Sequence, residues 1–164
     1  MTRSLLSVMK TLLLGLGNPI LTDDGVGVYV VRATAARRSG EGVDFHEASI
    51  GGLRLWEVIA GYDRLILVDA ILTPNGAPGQ IHRLTPDDLR TSLHAGSTHD
   101  LSFQGALAWG RRMGMALPPD DAITIIAVEA EDVLTFGEML TPAVAAALPD
   151  AVGAVLTELA WDAS

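Results

Sequence analysis

The stretch Lys10-Thr-Leu-Leu-Leu-Gly-Leu-Gly17-Asn-Pro-Ile-Leu-Thr-Asp23-Asp24-Gly25-Val-Gly27-Val-Tyr-Val30 decides the fold. Residues 10–16 form an almost unbroken apolar run, the pattern of a strand buried on both faces. Gly17-Asn18-Pro19 then punctuates the chain. Between Asp23 and Arg38 two periods compete. Val26, Val28 and Val30 alternate like a strand, while Val26, Val30 and Ala33 recur at helical spacing. The ends favour a helix: Thr22, Asp23 and Asp24 supply an acidic first turn and Arg37-Arg38 a basic last one, both complementing the dipole. A buried strand running through a glycine turn into a helix opens a βαβ unit.

The pattern repeats outward from there. Val43–Ala48 reads as a second strand. The Gly51-Gly52 turn precedes a short helix, Leu53–Ile59, and Leu65–Val68 is a third buried strand closed by Asp69. After a loop at Thr73–Gly79, Gln80–Leu84 is a polar strand suited to a sheet edge. Thr85-Pro86-Asp87-Asp88 has the shape of a capping box with proline at the first helical position. Ser97–Asp100 starts a helix that reaches Met113, Ala122–Val128 is a fifth strand, and Thr141-Pro142 opens an alanine-rich helix ending near Trp161. Strands alternating with helices predict one α/β domain over residues 10–164, with a mainly parallel sheet between helix layers, behind a short extension at 1–9.

Composition bounds the function. A chain of 164 residues, 49% hydrophobic, can bury roughly 68–70% of its unfolded surface. Eleven basic against twenty acidic residues leave a net charge of −9. That balance argues against nucleic acid and anionic membrane surfaces, both of which need clustered Lys and Arg. Zero cysteines exclude disulfides, thiolate metal sites and cysteine nucleophiles. No apolar run approaches the ~18–20 residues of a membrane span, and Lys10 interrupts the faintly signal-like N-terminus. A cytoplasmic location is expected.

In parallel sheets the working groups lie beyond the carboxyl ends of the strands. Three places qualify: the loop through Asp23 and Asp24, the strand end at Asp69, and the polar stretch holding His94, Ser97, Thr98, His99 and Asp100. A dinucleotide fingerprint would require glycine where Ile20 stands, and acids at the helix start would repel pyrophosphate. Each candidate also has a purely structural explanation. Asp23 and Asp24 stabilise a helix N-terminus, Asp69 caps a turn, His99 is solvated, and His46 and His82 sit inside strands. Taken together, Asp24, Asp69 and His99 are two carboxylates and an imidazole from three crossings facing one rim. That set suits a borderline divalent metal with open positions.

Gly15-Leu-Gly-Asn18-Pro19-Ile-Leu-Thr22-Asp23-Asp24-Gly25-Val-Gly27 resembles the opening motif of the nickel–iron hydrogenase maturation endopeptidases. The likeness continues through Gly51-Gly52, Leu67-Val68-Asp69-Ala70, Ser97-Thr98-His99-Asp100-Leu101 and Leu140-Thr141-Pro142-Ala143-Val144. The resemblance implies a three-layer α/β/α sandwich of phosphorylase/hydrolase-like type around a five-stranded mixed sheet, with Gln80–Leu84 as the candidate antiparallel strand. It implies a peptidase that removes a C-terminal extension from the hydrogenase large-subunit precursor after nickel insertion. Asp24, Asp69 and His99 match the family's catalytic, metal-contacting groups, and many relatives carry glutamate where this chain has Asp24. Gly17, Asn18, Asp23, Gly51 and Gly52 are the expected substrate-loop positions. Nickel is expected to arrive with the substrate rather than as a cofactor of the enzyme, although a divalent metal fits the same site, and the enzyme is expected to be a monomer. Two other classes are weighed. A peptidyl-tRNA hydrolase shares Gly-Leu-Gly-Asn-Pro, but this chain has no histidine before His46 to serve as its base. A nickel-sensing or chaperone-like maturation partner would bind the precursor without cutting it.

Overall fold

The computed structural model describes residues 8–38, 42–49, 55–91 and 98–160, with the backbone alone for 90, 91 and 98–102. Five strands, β1 (Thr11–Leu16), β2 (Val43–Ala48), β3 (Arg64–Ile71), β4 (Ile81–Leu84) and β5 (Ile123–Glu129), form one sheet in the order β2-β1-β3-β5-β4. Neighbours are parallel except β4, which runs antiparallel to β5 at the edge. This is the mixed five-stranded sheet expected, with the polar strand as its antiparallel member.

Alternation along the central strands builds two cores. On one face Leu13, Ile66, Val68, Ile126 and Val128 pack against α1 (Val26–Arg37) and α5 (Pro142–Ala160). On the other, Leu12, Leu14, Leu16, Leu65, Leu67 and Ile125 meet α2 (Leu55–Ile59) and α4 (Thr98–Arg112). Leu12, Leu13, Leu14 and Leu16 have no exposed surface. This explains why β1 reads as a continuous apolar run rather than an alternating one. The capping box forms as expected at α3 (Pro86–Thr91): Thr85 N and Oγ1 donate to Asp88 Oδ2 at 2.7 and 2.8 Å.

Three expectations shift. The contested segment is helical, but Thr22–Gly25 is a separate 3-10 turn and α1 begins only at Val26. Asp69 does not close β3, which continues to Ile71 because its far end pairs with β5 as far as Glu129. α5, by length and composition, is apolar enough to cross a bilayer. Pro149 and Asp150 break its apolar run, and Val144, Ala151, Val152, Val155 and Leu159 are buried against the sheet.

The connections place the site. β1 leads outward to β2 on one side, and β3 leads toward β4 and β5 on the other, so the chain reverses direction between adjacent β1 and β3. A crevice opens at such a switch point, beyond the carboxyl ends of the two strands. α4 reaches the amino end of β5 through a second 3-10 turn, Asp120–Ala122, so its first turn stands toward the carboxyl ends of the strands.

Candidate active site

Asp24 is placed by a loop with little freedom. Gly17 N donates to Ala48 O at 3.0 Å, holding the end of β1 against β2. Gly17 has φ +128°, and a Cβ there would overlap Asp24 O, so glycine is required twice over. Asn18 N then donates to Asp24 Oδ2 at 2.8 Å, while Ile20 N donates to Asn18 Oδ1 at 3.1 Å. Thr22 stands at φ 52°, an unfavourable region for a β-branched residue. Its Oγ1 donates to Thr135 O at 2.6 Å and its N to Gly137 O at 2.9 Å, which hold it there. Such strain costs on the order of 1–3 kcal/mol and clusters at working sites.

Asp69 comes from β3. The strand's alternation sets it with Leu65 and Leu67 on the face covered by α4, and Ala70 N donates to its Oδ1 at 2.8 Å. Asp24 and Asp69 are 7% and 5% exposed. The turn that carries Asp24 packs on β3, and Gly27 lies so close to Val68 O that a Cβ would overlap it. Asp24, in the turn after β1, and Asp69, near the carboxyl end of β3, both belong to the carboxyl-end side of the sheet, and each has an oxygen that accepts from a backbone amide. Carboxylates so buried and oriented offer hard oxygen ligands to a divalent cation. His99 is the second residue of α4, in the turn that stands toward the same side. Its side chain lies outside the described residues, as do that of Asp100 and residues His94, Ser97, Gly51 and Gly52.

Asp23 does something the sequence reading did not foresee. It has no exposed surface, and its carboxylate accepts four hydrogen bonds. Oδ2 takes Glu131 N at 2.9 Å, Asp132 N at 3.0 Å and Thr141 Oγ1 at 2.8 Å, and Oδ1 takes Thr141 N at 2.8 Å. The side chain fastens the loop after β5 to the turn after β1. Leu21 and Gly137 add an isolated parallel bridge, and Tyr29 Oη donates to Glu138 O at 2.6 Å.

A second acid passed unnoticed. Glu129, the last residue of β5, is 1% exposed. Thr73 N and Oγ1 donate to it at 2.6 and 2.9 Å, and His82 Nε2 lies 3.1 Å from its Oε2. Gly76 is packed against the carboxyl group itself. This cluster pins the loop between β3 and β4, so His82 is more than an incidental strand residue. An acid ending an otherwise apolar strand was the signal available.

The fold is that of an α/β protein whose candidate carboxylates come from the carboxyl-end side of the sheet, and comparison with known proteins shows the family. A family model for hydrogenase maturation protease matches residues 28–158. The hydrogenase 2 maturation protease of Escherichia coli K12 is 31% identical over 92% of this chain and 91% of its own length. The solved hydrogenase-maturating endopeptidase HybD of E. coli superposes with a TM-score of 0.78, covering 92% of each chain at 31% identity. The [NiFe] hydrogenase maturation protease HybD of Thermococcus kodakarensis gives 0.67, covering 91% of this chain and 98% of that one at 28% identity. The chain belongs to the hydrogenase maturation protease family, and it is an enzyme, a peptidase.

Proposed function

We propose that this peptidase removes the C-terminal extension of a nickel–iron hydrogenase large-subunit precursor once nickel has been inserted, and that Asp24, Asp69 and His99 grip the nickel the substrate carries. The observation that supports this most is the pair of buried carboxylates. Their burial and their amide-held oxygens fix two ligand groups before substrate arrives, so little ordering is left for the moment of binding. An imidazole from the first turn of α4 would complete a set that leaves coordination positions to the substrate's own ligands. With no cysteine in the chain, the site offers only oxygen and nitrogen, and it does not compete for a metal held by the substrate's thiolates. The metal then serves as the mark of a finished precursor, and the enzyme acts as a cytoplasmic monomer without a cofactor of its own.

The test compares nickel-loaded and nickel-free precursor incubated with the purified enzyme, with mass spectrometry reporting loss of the C-terminal segment. Loaded precursor should be shortened and nickel-free precursor left intact. Equal cleavage of both would refute the metal grip, and binding without any mass loss would favour a chaperone-like partner.

A further inference from the structure

Near the candidate site the chain exposes apolar side chains that its own core does not need. Leu134, Phe136 and Met139 are 84%, 81% and 81% exposed, and Ile20 beside them is 46% exposed. They stand on the loop after β5 and the loop after β1, joined where Gly137 N donates to Ile20 O at 2.9 Å. Clustered exposed apolar groups of this kind commonly mark an interaction site. The loop is also fixed. Asp23 holds both its ends, Thr22 its middle and Tyr29 its far side, and Asp132 Oδ1 accepts Leu134 N and Thr135 N at 2.9 Å each. A partner therefore meets an ordered surface with little ordering entropy left to lose.

Charge selects the occupant. Residues 130–141 carry Glu131, Asp132 and Glu138 and no Lys or Arg, in a chain of net charge −9. The hydrogen bonds from Thr135 and Leu134 hold the Asp132 carboxyl below its ordinary range, which keeps it charged. A second copy docking here by two-fold symmetry would set these acids against themselves. A basic partner with apolar side chains is complementary on both counts. Position adds the rest: Thr22, bound to this loop, stands two residues before Asp24, so whatever rests on the loop lies beside the carboxylate rim.

We infer that Ile20, Leu134, Phe136 and Met139, ringed by Glu131, Asp132 and Glu138, form the docking surface for a basic, apolar-bearing segment of the substrate polypeptide. The inference rests on the proposed function, since it takes the precursor to be the polypeptide that reaches the adjoining carboxylates. Specificity for the folded precursor then comes from this loop, and the crevice handles only the segment that is cut.

The test uses the intact enzyme and purified precursor, with binding followed by interferometry and processing by mass loss. Phe136→Ser/Met139→Ser should raise Kd and KM by about tenfold or more, the scale of losing an interface anchor. Its kcat at saturating precursor should stay within about twofold, because only uniform binding is removed. Met113→Ser, 60% exposed just past the last residue of α4, is the matched control and should behave as wild type. Glu131→Lys/Glu138→Lys should weaken binding and flatten its dependence on salt between about 50 and 300 mM. Unchanged Kd and KM in the apolar double variant would overturn the inference. So would a wild-type dimer that this variant converts to monomer, because the occupant would then be a second copy. A wild type that binds precursor without cutting it would remove the proposed function alone, and loss of binding in the variants would still uphold the docking surface.

Discussion

Replacing Asp23 with asparagine keeps the shape of the side chain and changes one oxygen and one charge. In the native turn, all four partners of the Asp23 carboxylate are donors: the amides of Glu131, Asp132 and Thr141 and the Thr141 hydroxyl. An asparagine NH2 faces at least one of those N–H groups whichever way the amide turns. Hydrogen bonds to a charged acceptor contribute about 1.5–3 kcal/mol, roughly twice the neutral kind. Three weakened bonds and one orphaned donor together amount to a loss of about 3–5 kcal/mol, a large share of the ~5–15 kcal/mol that holds a typical domain. The expected fall in Tm is about 6–20 °C for a chain of this size. Should the loop detach before the domain unfolds, the global loss is capped at the cost of detachment, and the missing part appears as faster hydrogen exchange at the Glu131, Asp132 and Thr141 amides. Urea denaturation combined with exchange measurements captures both routes. A loss under about 1 kcal/mol with unchanged protection at those amides would refute the structural account of Asp23 and leave it as a substrate contact.

Further outcomes follow from other parts of the molecule. Asp24→Asn, Asp69→Asn and His99→Gln should each lower processing by more than the ~10–100-fold typical of groups behind a metal ligand, with circular dichroism unchanged. Activity retained in Asp69→Asn would remove the metal grip. Gly27→Ala puts a Cβ into Val68 O between α1 and β3 and should cost about 1–3 kcal/mol in urea denaturation, with processing impaired as the Asp24 turn shifts. Glu158→Ala removes the carboxylate that accepts from Arg64 at 3.1 Å and from Arg83 near the far end of the sheet, while Arg64 keeps its bond to the Glu158 carbonyl, and should cost about 1–3 kcal/mol without changing kcat. Burial, together with the hydrogen bond to Asp44, pushes the Tyr62 hydroxyl up to about 12. The unfolded tyrosine ionises first, near pH ~10, so stability should fall as pH rises from there toward about 12. A Tyr62→Phe variant should lose less over that window. An identical alkaline decline in the variant would contradict the assignment.

The sequence carried much of this because its strongest signals are local. Leu12–Leu14 has the pattern of a strand buried on both sides, Thr85 through Asp88 cap a helix within four residues, and Gln80–Leu84 is too polar for the middle of a sheet. Asp24 and Asp69 stand out as candidates in the sequence because strand ends are where parallel sheets work. What escaped was non-local. Asp23 and Asp24 look alike as first-turn acids, and only the return of residues 131–141, more than a hundred positions later, makes Asp23 an anchor. Glu129 and His82 meet across an antiparallel register that spacing does not reveal. The 3-10 turn before α1 follows from Thr22 being held at positive φ by that same distant loop.

The anchoring of that loop has a consequence for how enzymes of this design can diversify. Asp23 grips mainly backbone amides, which every residue except proline supplies, and of the loop's side chains only Thr141 takes part. Positions 134, 136 and 139 are thus free to change identity without loosening the frame beneath them. A new recognition surface could be written there by substitution alone, much as antibody loops vary on a constant scaffold, while the turn that Asp23 anchors stays where it is.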